Sequence, residues 1–108
     1  MGLSVCPAAT VAAPAEVVWA LVSRAARWDD WIDGRVERAE PGPLAAGQTV
    51  TVLAPALGRT WRATFVIVEV DAPRGVLAMR VAFPLGMTLR ERVRVRPLDS
   101  ATCRVEYG

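Results

Sequence analysis

The sequence predicts an α+β domain: a curved antiparallel sheet of about seven strands, with two short helices after the first strand. Three observations predict it. A proline-led helical stretch, A-A-P-A-E-V-V-W-A-L-V, follows directly on a short β-branched segment. After Gly34 the apolar period changes from helical spacing to alternation. From there to Tyr107 the chain is a series of alternating runs separated by Pro- and Gly-bearing breaks. At 108 residues, 53% of them apolar, this is one domain with enough material for a core.

Each element has a local reason. Ser4–Val11 is short, partly β-branched and ends before Pro14, which reads as a first strand. Pro14 stands where the first helical turn tolerates proline, and Glu16 favours the positive end of the helix dipole. Val17, Val18, Leu21 and Val22 follow at helical spacing, with Trp19 nearby. Ser23–Ile32 reads as a second short helix carrying Trp28 and Trp31, ended by Gly34. Strands are expected at Arg35–Glu40, Gln48–Leu53, Arg59–Val70, Val76–Phe83, Met87–Arg96 and Ala101–Tyr107. Pro41-Gly42-Pro43 breaks the first pair, and Ala54–Gly58 reads as a loop. Asp71-Ala72-Pro73-Arg74-Gly75 is a turn in which proline fixes φ and glycine supplies a positive φ.

The last strands sort their side chains cleanly. Met87, Leu89, Glu91, Val93 and Val95 fall on one face, and Thr88, Arg90, Arg92, Arg94 and Arg96 on the other. Leu77, Met79, Val81 and Phe83 oppose Arg80; Cys103, Val105 and Tyr107 oppose Thr102, Arg104 and Glu106. Simple hairpin pairing places Ile67, Met79, Glu91 and Tyr107 in one cross-strand row, and Phe65, Val81 and Leu89 in the next. The same register sets Glu106 opposite Arg92. Val66 and Val68 fall on the second face of Arg59–Val70, under Arg stems or as a contact surface.

Composition removes several chemistries. There is no His, so a Ser-His-Asp triad, a Cys-His pair and a His-ligated metal site are excluded. A net charge of +2 is too small to imply a nucleic-acid partner or attraction to an anionic membrane. Cys6 and Cys103 are too few and too distant for a zinc site or a disulfide framework. No segment has the length of a membrane span, and M-G-L-S-V-C-P lacks the regions of a secretory signal. The expectation is a cytoplasmic protein with reduced thiols, no cofactor and no bound metal.

The order and spacing of A-A-P-A-E-V-V-W-A-L-V-S, R-W-D-D-W, P-L-A-A-G-Q-T-V, V-E-V-D-A-P-R-G-V-L and T-C-R-V-E-Y resemble the START/SRPBCC superfamily, nearest its polyketide cyclase/dehydrase-like branch. The resemblance implies a helix-grip fold, in which the sheet curls around a long C-terminal helix. It implies an apolar cavity between the two, for lipids, polyketides or steroids, with cyclisation or dehydration in some members. It also implies that first and last strands pair, bringing Cys6 near Cys103. Here the chain stops at Tyr107-Gly108, where the long helix would begin. Roughly ten apolar side chains would then lose part of their burial. The expectation is a C-terminally truncated domain over residues 1–108, or a homodimer in which a second copy covers the open face.

Phe65, Ile67, Met79, Val81, Leu89, Val93 and Tyr107 are the expected ligand-contacting residues, with Glu91 and Trp31 beside them. Trp28 and Trp31 either gate the cavity or anchor the short helices, and anchoring is preferred; Trp61 is read as packing. Glu91 interrupts an apolar face, where desolvation would raise its pKa. It is the candidate general acid or base, with Tyr107 as hydrogen-bond donor; a Glu–Tyr structural pair or a salt bridge is the competing reading. The arginine stripe is read as a solvated outer face, and Asp29, Asp30 and Asp33 as solvated helix-end residues rather than a metal loop. The preferred function is binding of a hydrophobic small molecule. The alternatives are a cyclase or aromatase using Glu91 and Tyr107, and an interaction module whose open sheet accepts a partner helix.

Overall fold

The computed structural model describes residues 8–108. Its sheet has seven strands in the order β1-β7-β6-β5-β4-β3-β2, every neighbouring pair antiparallel. The strands are β1 Ala8–Val11, β2 Arg35–Arg38, β3 Thr49–Ala56, β4 Arg59–Asp71, β5 Val76–Ala82, β6 Thr88–Pro97 and β7 Cys103–Tyr107. Between β1 and β2 lie helix α1, Ala15–Val22, and the 3-10 helix Ala25–Asp30. Pro14 caps α1 in an extended conformation, with φ −60° and ψ 148°, and Glu16 stands in its first turn. The first and last strands pair, so β7 is interior and its Cys103 is fully buried. Ser4–Pro7, and with them Cys6, lie outside the described residues.

Strand ends differ from expectation by one to three residues, and two of the differences reshape a turn. β3 runs on to Ala56, because Ala54, Pro55 and Ala56 pair with Trp61, Thr60 and Arg59. The expected loop therefore shrinks to the two-residue turn Leu57-Gly58, with φ of 52° and 71°. Phe83 leaves β5 and caps a short 3-10 turn, Pro84–Gly86.

The register of β4, β5 and β6 agrees with expectation: Ile67 faces Met79, Met79 faces Glu91, and Phe65, Val81 and Leu89 align. β7 does not. Tyr107 is opposite Val93 rather than Glu91, and Glu106 is opposite Arg94 rather than Arg92. The slip is two residues, so every side chain keeps its face. Backbone hydrogen bonds in both directions between Gly108 and Arg92 (2.8 and 3.0 Å) hold this alignment. Arg96, not Arg92, meets Glu106, at 3.3 Å.

The inner face is not open in the way expected. Val50, Ile67, Leu77, Met79, Val81 and Val93 are each 3% exposed or less. The curved sheet, α1 and the 3-10 helix enclose a common core containing Val18, Val22, Trp28, Leu44, Ile67, Met79 and Val93. Trp28 is its largest fully buried side chain, and its indole N–H donates to the Val22 carbonyl at 2.8 Å. Gly75 locks the far end of the sheet. Its φ is +67°, its carbonyl accepts from Val95 N–H at 2.8 Å, and a Cβ there would lie 2.2 Å from the Val95 oxygen.

Candidate functional site

β6 places Glu91 on the inner face because alternation leaves the odd positions inward. β7 ends with Tyr107 on the same face, one pair away along the ladder. The tyrosine side chain spans the two-residue slip diagonally, and its O–H donates to Glu91 Oε2 at 2.5 Å. The bond is short because the acceptor is a carboxylate in a half-buried setting. Burial, then the hydrogen bond to Glu91 and its charge, hold the Tyr107 phenol well above its ordinary range. Tyr107 is therefore a neutral donor throughout the physiological range, and Glu91 Oε1 is left as an acceptor.

The residues expected around this pair divide into two sets. Ile67, Met79, Val81 and Val93 are fully packed and form the floor. Phe65, Leu89, Glu91, Tyr107 and Trp31 retain exposed surface, Leu89 at 48% and Trp31 at 40%. An aromatic chain links the floor to the rim: Phe65 stacks edge-on to Trp28 at 5.3 Å, and Trp28 to Trp31 at 5.9 Å. Trp28 is an anchor. Trp31, half exposed, is pinned by its N–H to the Leu21 carbonyl at 2.9 Å and stands at the rim. Trp61 donates to the Ala56 carbonyl across the β3–β4 turn at 2.8 Å.

The surface carries two depressions. A groove of about 910 Å³ runs between α1 and β6, bordered by Glu16, Trp19, Arg74, Gly75 and Val95. It shares no residue with the expected set, and neither its mixed lining nor Trp19 carried a sequence signal for a site. A second, of about 400 Å³, is lined by Val68, Ala78, Arg80, Arg90 and Arg92 together with Met79, Glu91 and Gly108, so it reaches two residues of the expected set. Val68, Ala78 and the three arginines belong to the outer face, where the arginines are solvent-exposed as expected. Asp29 accepts from Val36 N–H at 2.7 Å and Asp30 pairs with Arg27, so these two carboxylates serve the helix end. Among the described residues no cluster of His, Cys, Asp or Glu is placed to hold a metal ion. Likewise, no helix among them is long and apolar enough to cross a membrane.

The family model described as polyketide cyclase / dehydrase and lipid transport matches residues 4–108. The chain belongs to this family. Among solved structures it is similar to the Zhui aromatase/cyclase from Streptomyces sp. R1128, with 25% identity and a TM-score of 0.77 over 95% of this chain and 63% of that one. Norcoclaurine synthase from Thalictrum flavum, in complex with dopamine and hydroxybenzaldehyde, shares the fold at 16% identity and a TM-score of 0.66, covering 95% and 65% of the two chains. A Thermobifida fusca protein solved by NMR shares it at 22% identity and a TM-score of 0.67, covering 95% and 69%. The chain thus spans about two thirds of the length of these relatives, and less than that of the aromatase/cyclase. No curated protein matches it. The fold is the helix-grip fold of the aromatase/cyclase, represented here by its seven-stranded sheet and short helices.

Proposed function

We propose that the inner face binds a hydrophobic, hydroxyl-bearing small molecule of polyketide type, with Glu91 and Tyr107 as its polar anchor. The observation that carries this reading is the 2.5 Å Tyr107–Glu91 hydrogen bond, set on an apolar floor beside exposed Leu89. A phenol already donating to a carboxylate has only lone pairs left to offer, and so has the second carboxylate oxygen. Both polar groups therefore accept. They suit a ligand that donates O–H groups, and they penalise one that presents a carbonyl or ether at that point. The apolar remainder of the ligand would be buried against Phe65, Leu89 and Trp31. A helix laid over Leu89 and Trp31, from a second copy or from further chain of the same polypeptide, would close the site.

Titration with a polyhydroxylated polycyclic aromatic and with its fully methylated ether, followed by tryptophan fluorescence, tests this. The hydroxylated compound should bind about tenfold more tightly or better, and Glu91→Gln should erase the preference. Equal affinity for both compounds in the wild type would refute the anchor.

A second reading, cyclisation or aromatisation, is favoured by the same pair. Glu91 is placed to accept a proton from an acidic C–H or O–H of a bound polyketide while the walls hold its chain folded. Tyr107 positions the carboxylate. Glu91→Gln should then abolish turnover while leaving binding within about tenfold, and Tyr107→Phe should slow turnover less.

A further inference from the structure

Two Leu-Gly dipeptides, Leu57-Gly58 and Leu85-Gly86, form the turns at one end of the sheet. The β3–β4 turn and the β5–β6 turn fall at the same end because β4 runs away from that end and β5 returns to it. In both turns leucine and glycine alike have positive φ: 52° and 71° in the first, 72° and 76° in the second. Asn-Gly is the usual occupant of such a position; leucine carries a steric penalty there. Burial does not offset it, since Leu57 is 91% exposed and Leu85 89% exposed. Met87, beside the second turn, is 59% exposed. The first turn also projects, as β4 continues from Ala63 back to Arg59 beyond the last residue paired with β5.

The surroundings of these tips are aromatic and basic. Arg59 lies over the Trp61 ring at 6.0 Å, just behind Leu57. Arg80 and Arg90, near the second turn, face each other directly across β5 and β6, a like-charge apposition that destabilises a sheet. Neither has a carboxylate partner among the described residues. The overall charge of +2 averages over this uneven distribution, so it understates what this end of the molecule presents.

We propose that this end of the sheet docks on the surface of an anionic lipid bilayer, with Leu57 and Leu85 entering the acyl boundary and Arg59, Arg80 and Arg90 meeting headgroup phosphates. Two separate convex apolar points suit a fluid phase that moulds around them better than a rigid protein surface that must be complementary to both. Trp61 behind them suits the headgroup level, and unpaired arginines suit an anionic leaflet. Docking of this kind is peripheral and does not depend on which ligand the inner face holds.

The test is flotation of the full chain with vesicles of phosphatidylcholine alone and of phosphatidylcholine mixed with phosphatidylserine. The wild type should float with the anionic vesicles, less so as salt is raised. Leu57→Asn and Leu85→Asn should each lower partitioning about tenfold while leaving thermal stability unchanged or higher, because asparagine tolerates positive φ. Arg80→Gln with Arg90→Gln should lower binding to the anionic vesicles severalfold and relieve the apposition. Folded wild type that floats with neither vesicle, or leucine variants that float as well as wild type, would overturn the proposal. So would retention on polyglutamate without vesicle binding, which would assign the basic end to an acidic protein, or a dimer that the leucine variants dissociate.

Discussion

Glu91 and Tyr107 show how one polar residue on an apolar strand face acquires a defined state. Tyr107 is the only tyrosine, so its phenolate absorbance reports one group without interference from another. Burial first, and Glu91 second, raise its pKa above the ordinary 10.0. The folded chain thus holds this proton more tightly than the unfolded chain does. Its contribution to stability is complete below pH 10 and is lost as pH climbs from there through the raised value. The phenolate titration should accordingly have a midpoint above the ordinary value, and Glu91→Gln should bring it part of the way back, since burial persists. A wild-type midpoint at the ordinary value would show that the pair is not formed. Gly75 makes a second prediction at this scale. Gly75→Ala adds a Cβ 2.2 Å from a backbone oxygen at a φ of +67°. It should cost at least about 2 kcal/mol in chemical denaturation.

At the scale of elements, alternation was legible, and axial position was legible in β4, β5 and β6 but not in β7. The arginine and apolar faces of β6 could be read directly, and with them the inward placement of Glu91. The two-residue slip of β7 could not, because a period of two is blind to a shift of two. The sequence therefore put Tyr107 on the correct face, opposite the wrong residue, and the tyrosine still reaches Glu91 by leaning along the ladder. The extension of β3 through Pro55 was hidden for a different reason: proline and alanine argue against a strand, yet Pro55 sits in a hairpin arm that needs few ladder bonds. Trp28 stands among Arg27, Asp29 and Asp30, and nothing local shows that it enters the core while Trp31 stays at the rim. That division predicts unequal substitutions. Trp28→Ala should destabilise by about 3–5 kcal/mol, and Trp31→Ala by less than about half of that, both read from denaturant midpoints at constant slope.

For the whole molecule, the expected open inner face was the largest departure. That expectation had roughly ten apolar side chains losing part of their burial. In the structure the sheet curves around α1 and Trp28, and the floor residues are packed without a further element. What remains partly accessible is a smaller set of side chains: Leu89, Trp31, Phe65, Glu91 and Tyr107. The family supports ligand binding or cyclase chemistry, and the choice of ligand rests on that set. Native mass spectrometry of the purified chain is the most direct test. A retained apolar compound bearing hydroxyl groups, lost in both Glu91→Gln and Tyr107→Phe variants that remain folded, is the predicted result. A wild type that carries nothing and retains no added hydroxylated aromatic, or variants that hold the compound as firmly as wild type, would contradict the account.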